Sequence, residues 1–285
     1  MYPKTKEIIF MYNTEYPSLD DGLLYHYTSA ESFFKILESA SLKSSDFSRL
    51  NDLNEGNLRN GDMTDACLDI SVREALCKRG FLLCFTENYE QDGILSTGIN
   101  HPRMWAQYAD NNNGVCIAIH KAKFLDENAE ILNGRFYMLK KVDYRSCLSF
   151  KFKKSNEAED FLQKNWREIL YVKHNDWKQE NETRFFGLNL PDKFLSIENS
   201  VAFVCLSSAF LKNDDNMNRL IGNIVSPNSK FYHKLVPHSF AECLVDGLGY
   251  NPEDCATNIL WRIRKNKAKY QQYLAWLNRK LNYKI

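Results

Sequence analysis

The stretch Leu23-Leu24-Tyr25-His26-Tyr27-Thr28 decides how the rest of the chain is read. Residues 23–27 have strand character, and side chains alternate along a strand. His26 therefore falls on one face and Tyr25 and Tyr27 on the other. Thr28 and Glu31 have the spacing of a capping box, so a helix is expected to start at once. Residues 30–40 continue it, with Phe33, Phe34, Ile36, Leu37 and Ala40 on one broad face. A histidine and an aromatic ring at a strand's end can hydrogen-bond a ribose and stack on a flat heterocycle. A carboxylate from elsewhere must complete such a site, and Glu180 and Glu182 are the candidates.

Outward from this segment the pattern is of strands and helices mixed. The apolar runs 81–85 and 115–119 have strand length and are expected to be buried on both faces. Pro102 opens a short helix carrying Met104, Trp105 and Tyr108. Asn111, Asn112, Asn113 and Gly114 then make a turn. Residues 141–144 and 183–188 have strand character, and 194–211 holds more strand. Helices are expected at 7–12, at 64–78 (ended by Gly80), at 157–171 and, singly or as a pair, within 256–281. Residues 213–217 read as a polar loop and 227–229 as a turn. The division that follows is a lead-in, 1–22, a core, 23–250, and a helical C-terminal extension, 251–285, packed on the same α+β domain.

Composition excludes several classes. Of 285 residues, 44% are hydrophobic and 26% charged, and 37 Lys+Arg against 36 Asp+Glu leave no global electrostatic case for nucleic-acid binding. No run of 18 apolar residues occurs, and the N-terminus lacks the layout of a signal peptide, so a cytoplasmic protein with no membrane partner is expected. The eight cysteines form no Cys-x-x-Cys pair. Cys84, Cys116 and Cys205 sit in apolar runs, which favours reduced core thiols over a disulfide framework or zinc site. The six histidines are scattered and no metal site is expected. Phosphate-loop, dinucleotide-loop and serine-elbow motifs are missing from the sequence. Two basic segments, 151–154 and 262–269, interleave with Phe152, Trp261 and Tyr270. Each reads as a solvated face or as a nucleic-acid contact.

Four segments form a set: His26-Tyr27-Thr28; Asn51-Asp52-x-x-Glu55; Trp105-x-x-Tyr108 with Gly114-x-Cys116-Ile117; and Trp177-x-x-Glu180-x-Glu182-x-Arg184. In this order, over roughly residues 23–190, the chain resembles an uncharacterised bacterial domain family found in abortive-infection and phage-defence genes. More distantly it resembles the ADP-ribosyltransferases, through the strand ending in His26-Tyr27 and through Glu180-Asn181-Glu182 ahead of a strand. Phe85-Thr86-Glu87 is a candidate for that fold's middle strand.

The resemblance implies a mixed or antiparallel sheet core with flanking helices, and NAD as substrate without a metal. It implies that His26 and Tyr27 hold NAD, with Thr28, Tyr108 and Arg184 as further contacts. It also implies Glu182 at the ribose and Glu180 on the acceptor side. The partners would be a macromolecular acceptor (protein, RNA or DNA) and an antitoxin or immunity protein. Two alternatives keep the site: an NAD hydrolase with water as acceptor, and a nucleotide- or nucleic-acid-binding sensor without chemistry. Each residue also has a plainer reading. His26 and Tyr27 can be core residues, Thr28 a helix cap, Asn51-Asp52 an Asx turn, and Trp105 and Tyr108 packing. Glu180, Glu182 and Arg184 can be a strand face with an ion pair.

Overall fold

The computed structural model describes residues 22–46, 79–91, 94–146, 164, 165, 167, 168, 170–224 and 235–237. The helices expected at 7–12, 64–78 and 256–281, the Asn51-Asp52-x-x-Glu55 motif, the turn at 227–229 and both basic segments lie outside them. So do Cys67, Cys77, Cys147, Cys243 and Cys255. Of the helix expected at 157–171, residues 164, 165, 167, 168 and 170 are described and helical.

The protein is of mixed α+β class with mostly antiparallel strand pairing. The first strands are β1 (Leu23–Thr28), β2 (Ser41–Lys43), β3 (Ser45–Asp46), β4 (Gly80–Thr86), β5 (Tyr89–Gln91), β6 (Ile94–Ser96) and β7 (Val115–His120). There follow β8 (Tyr137–Lys141), β9 (Asp143–Arg145), β10 (Val172–His174), β11 (Glu182–Leu188), β12 (Phe194–Ser196), β13 (Val201–Leu206) and β14 (Leu235–Pro237). They divide between two compact units that alternate along the sequence. The first comprises Met1–Ser41, Asn88–Phe124 and Ile197–Ile285, and the second Leu42–Glu87 and Leu125–Ser196. No helix among the described residues is long and apolar enough to cross a membrane.

In the first unit β1 pairs antiparallel with β7, from Leu23 opposite His120 to Thr28 opposite Val115. β13 lies antiparallel on the other side of β7 and parallel to β14. Cross-strand partners share a face, so Tyr25 and Tyr27 stand with Ala118 and Cys116, and beside them Phe203 and Cys205. These residues pack with Ile99, Met104 and Trp105 into one buried cluster. The buried Tyr27 hydroxyl donates to the carbonyls of Gly98 (2.5 Å) and Ile99 (3.1 Å). The Trp105 indole donates to Ile99 (2.8 Å) and meets the Tyr27 ring edge-on at 5.1 Å. Gly98 sits against the Tyr25 ring so closely that a Cβ there would lie 2.2 Å from it.

The helix α1 (Ala30–Ser39) follows β1 directly, as expected, and buries Phe33, Phe34, Ile36 and Leu37. Its N-cap, however, is Ser29, whose hydroxyl accepts from the Ser32 amide (3.2 Å). Thr28 is still paired in β1 and so cannot adopt the cap role its spacing implied. Ala40 closes the helix in the left-handed region (φ 52°). Phe33 and Phe34 both meet the Phe210 ring. Residues 213–217 are not a loop: Asn213 accepts from the Asn216 amide (3.0 Å) and starts the helix Asp214–Ile224, with Asp214 and Asp215 in its first turn.

In the second unit β11 is the central strand. It pairs antiparallel with β4 (Glu182 opposite Thr86, Leu188 opposite Gly80) and with β8 (Thr183 opposite Lys141). β3 adds to the far side of β4, and β9 and β10 form a separate parallel pair. All seven residues of β11 are buried. β4 departs from expectation. Leu82, Leu83 and Phe85 are buried, but Phe81 is half-buried and Cys84 is exposed, so Cys84 is not a core thiol. Cys116 and Cys205 are buried.

The close approach of Gly98 to Tyr25 makes a direct test of the first unit's packing. Gly98→Ala is expected to lower the unfolding free energy by about 1–3 kcal/mol, through displacement of ring or turn. Urea denaturation of both proteins reads it, and an unchanged midpoint would show that the contact carries no packing constraint.

Candidate functional site

After β10 the polar run Asn175-Asp176-Trp177-Lys178-Gln179-Glu180 makes a short 3₁₀ helix. The His174 ring accepts from the Asp176 amide (3.3 Å) at its start. Asn181 ends it with φ 44°, a conformation asparagine tolerates better than most residues. The Asn181 side chain donates to the Glu87 carbonyl (3.1 Å), and the Thr86 hydroxyl donates to the Asn181 carbonyl (3.2 Å). The Glu182 amide then donates to the Tyr144 hydroxyl (2.9 Å), which fixes the first residue of β11.

Around this turn four charged side chains meet with almost no exposure: Lys173 3%, Glu180 2%, Glu182 5% and Arg184 1%. Arg184 grips Glu182 with two parallel bonds, Nε to Oε1 at 2.7 Å and Nη2 to Oε2 at 2.9 Å, and its Nη1 donates to the Leu170 carbonyl at 2.7 Å. The Lys173 ammonium bonds Glu180 Oε2 at 2.7 Å and Glu182 Oε2 at 3.3 Å. It also lies 4.7 Å from the centre of the Trp177 ring. Two anions and two cations cancel. Burial of this kind is tolerable only because every charge meets an opposite one in hydrogen-bonding geometry.

The electrostatics follow from these contacts. Burial pushes the Glu182 carboxyl upward, but the Arg184 charge and hydrogen bonds, then Lys173 and the Cys84 thiol, outweigh it and hold the group down at about 2. Burial pushes the Tyr144 and Tyr171 hydroxyls well above the ordinary tyrosine range. Cys84 stands opposite Arg184 on β4, so it shares the sheet face of Glu182 and Arg184. Because Cys84 is exposed, that face meets solvent one cross-strand neighbour away from the buried network.

The structure thus gathers Glu180, Glu182 and Arg184, which the sequence had grouped. Their geometry is different from that expected. Glu180 ends a helical turn rather than lying two residues along an extended chain, and Lys173 draws the two carboxylates together. Arg184 is occupied as the partner of Glu182. Thr86, in the segment proposed as the middle strand, is buried and paired opposite Glu182. The remaining candidates, His26, Tyr27, Thr28 and Tyr108, belong to the other unit. His26 is half-buried opposite Ile117, and Thr28 is buried at the end of β1. The Tyr27 hydroxyl is consumed within the core, and Tyr108 is half-buried against that same cluster. Sequence reading missed Lys173 and Tyr144. The signal for Lys173 was present: a lysine placed directly after Leu170-Tyr171-Val172, four residues before Trp177.

Residues 104–185 match a family described as Protein of unknown function (DUF2971). The matched stretch takes in Trp105, Tyr108, Lys173, Trp177, Glu180, Glu182 and Arg184, and begins after His26. No curated protein and no solved structure matches the chain.

Two outcomes are expected of the network. Arg184→Met strands the Glu182 charge and should destabilise the fold by about 3–5 kcal/mol. The pH dependence has a defined sign. The folded value of Glu182, about 2, lies below the ordinary 4.5, so its stabilisation is fully present above about pH 5 and is lost as pH falls toward 2. Urea titrations at pH 7, 4 and 3 should show that loss in the wild type, and a smaller one in Glu182→Gln.

Proposed function

We propose that the Glu180–Glu182 segment serves NAD chemistry of the ADP-ribosyltransferase kind, in a toxin or phage-defence effector with a matching antitoxin or immunity partner. The observation that carries this reading is Glu182 itself, a carboxylate held ionised at the first position of a central strand. The sheet face it occupies reaches solvent at Cys84. Cleavage of the nicotinamide–ribose bond sends the bonding electron pair to nicotinamide and leaves positive charge on the ribose. An ionised carboxylate beside that sugar stabilises the developing charge without any proton movement of its own. The acceptor nucleophile then bonds to the ribose carbon and loses its proton, for which Glu180 is the nearby base. The acceptor in this reading is a protein or nucleic acid.

A second reading has an observation in its favour as well. Both Glu182 oxygens are already bonded, and among the described residues the two anions are matched by two cations. Such a mutually paired set suits a nucleotide-binding module that performs no chemistry. The two readings part at Glu182, because only the first needs its negative charge in a transition state.

Incubation with NAD labelled in the adenylate half, together with cell lysate, tests both. The enzyme reading expects nicotinamide release and labelled macromolecule from the wild type, and a loss of about 100-fold in a folded Glu182→Gln variant. Free ADP-ribose without labelled macromolecule would make water the acceptor. NAD left intact by the wild type, with thermal stabilisation by NAD, would replace the enzyme by the binding module. His26→Ala, assayed alone, reads whether the histidine contributes to NAD turnover.

A further inference from the structure

We propose that Lys173 is a positioning residue for the Glu180–Glu182 pair: its buried ammonium ties the end of the 3₁₀ helix to the start of β11 and offsets the charge of both carboxylates. The inference rests on the NAD reading for its consequence in catalysis, but its physical content is separate.

Three observations converge on Lys173. It is the one described cation bonded to both carboxylates, at 2.7 Å and 3.3 Å, and both contacts use the Oε2 atom. It is buried, and Trp177 from the intervening turn lies over it at 4.7 Å, so water competes poorly for the ammonium. Its two partners stand on different elements, Glu180 on the 3₁₀ helix and Glu182 on β11, so a bond to both fixes one element relative to the other.

The remaining groups around Glu182 sharpen the role. Arg184 on β11 neutralises one carboxylate and also serves the Leu170 carbonyl. Tyr144 on β9 accepts from the Glu182 amide, and the Cys84 thiol on β4 bonds the carboxylate. Neither of these last two carries positive charge. Among the described residues, two buried carboxylates without Lys173 would therefore share a single counter-cation. Like charges in such a site drive one carboxylate to bind a proton, and an interacting pair gives it up in two steps. Whatever share of that proton falls on Glu182 removes charge from the ribose cation, so loss of Lys173 should appear as a pH effect as well as a loss of position.

NAD turnover is measured from pH 5 to 9 for the wild type, Lys173→Met and Lys173→Arg, each checked by thermal melting. The expected result is an acidic limb in Lys173→Met displaced upward by about one pH unit or more. At least tenfold slower turnover is expected at pH 6, with partial recovery at pH 9, and Lys173→Arg should restore the limb. A uniform loss across the pH range would overturn the assignment and leave Lys173 a structural residue. A ¹³C carboxyl titration of Glu182 in the wild type and in folded Lys173→Met and Lys173→Arg separates this inference from the NAD reading. A resonance flat between pH 5 and 8 in the wild type and Lys173→Arg but shifted by proton uptake in Lys173→Met supports the positioning role even if NAD stays intact. The same flat resonance in all three proteins overturns it.

Discussion

A carboxylate taken out of water keeps its charge only where other groups replace the solvent, and the second unit is organised around that constraint. Glu182 opens the central strand β11, and its backbone and side chain are both engaged there. The bidentate grip of Arg184 satisfies both carboxylate oxygens, and Lys173 adds a second cation at one of them. Each charge must itself be offset, and among the described residues two anions and two cations do so. An arginine with 1% exposure in a seven-residue buried strand would otherwise be among the costliest residues in the chain. Replacing the whole quartet by apolar residues need not destabilise the unit, whereas removing any single member leaves an uncompensated charge. The network therefore makes the turn and the strand specific rather than simply stable.

The first unit solves a gentler problem with the same logic. Tyr27 brings a hydroxyl into an apolar cluster, and a buried hydroxyl needs a partner. The turn ending at Ile99 supplies it by presenting two consecutive carbonyls to Tyr27, one of which also accepts from Trp105. Ring packing and hydrogen bonding thus select the same conformation, with Gly98 admitted because the Tyr25 ring leaves no space for a Cβ. Aromatic residues that a sequence offers as a stacking platform are here the reason the sheet holds its turn.

Much of this was legible from residues alone, for identifiable reasons. Period-two alternation in β1 put His26 and the tyrosines on opposite faces, and the structure keeps them there. The apolar stripe of α1 needed only helical periodicity. The errors came where a local rule had two solutions. Thr28 and Ser29 are both good caps, and the cross-strand bond of Thr28 to β7 decided between them. Asn213 to Met217 is polar enough for a loop, yet Asn-Asp-Asp is also a strong helix start. Cys84 sits in an apolar run, but exposure depends on what covers a sheet face, which no run of residues states.

The Glu180–Glu182 spacing teaches a more general point. Two carboxylates two residues apart point the same way only if the chain between them is extended, and here a 3₁₀ turn and a left-handed Asn181 intervene. They still converge, because the determinant is a shared cation and not the spacing. Lys173 lies seven residues before Glu180 and nine before Glu182, and Arg184 two after Glu182. All four charges thus fall within twelve consecutive residues that turn back on themselves, and closing so short a loop costs little entropy. The unit that sequence reading should have sought is Lys173-x-x-x-Trp177-x-x-Glu180-x-Glu182-x-Arg184, in which the lysine and tryptophan explain why two acids can be buried side by side.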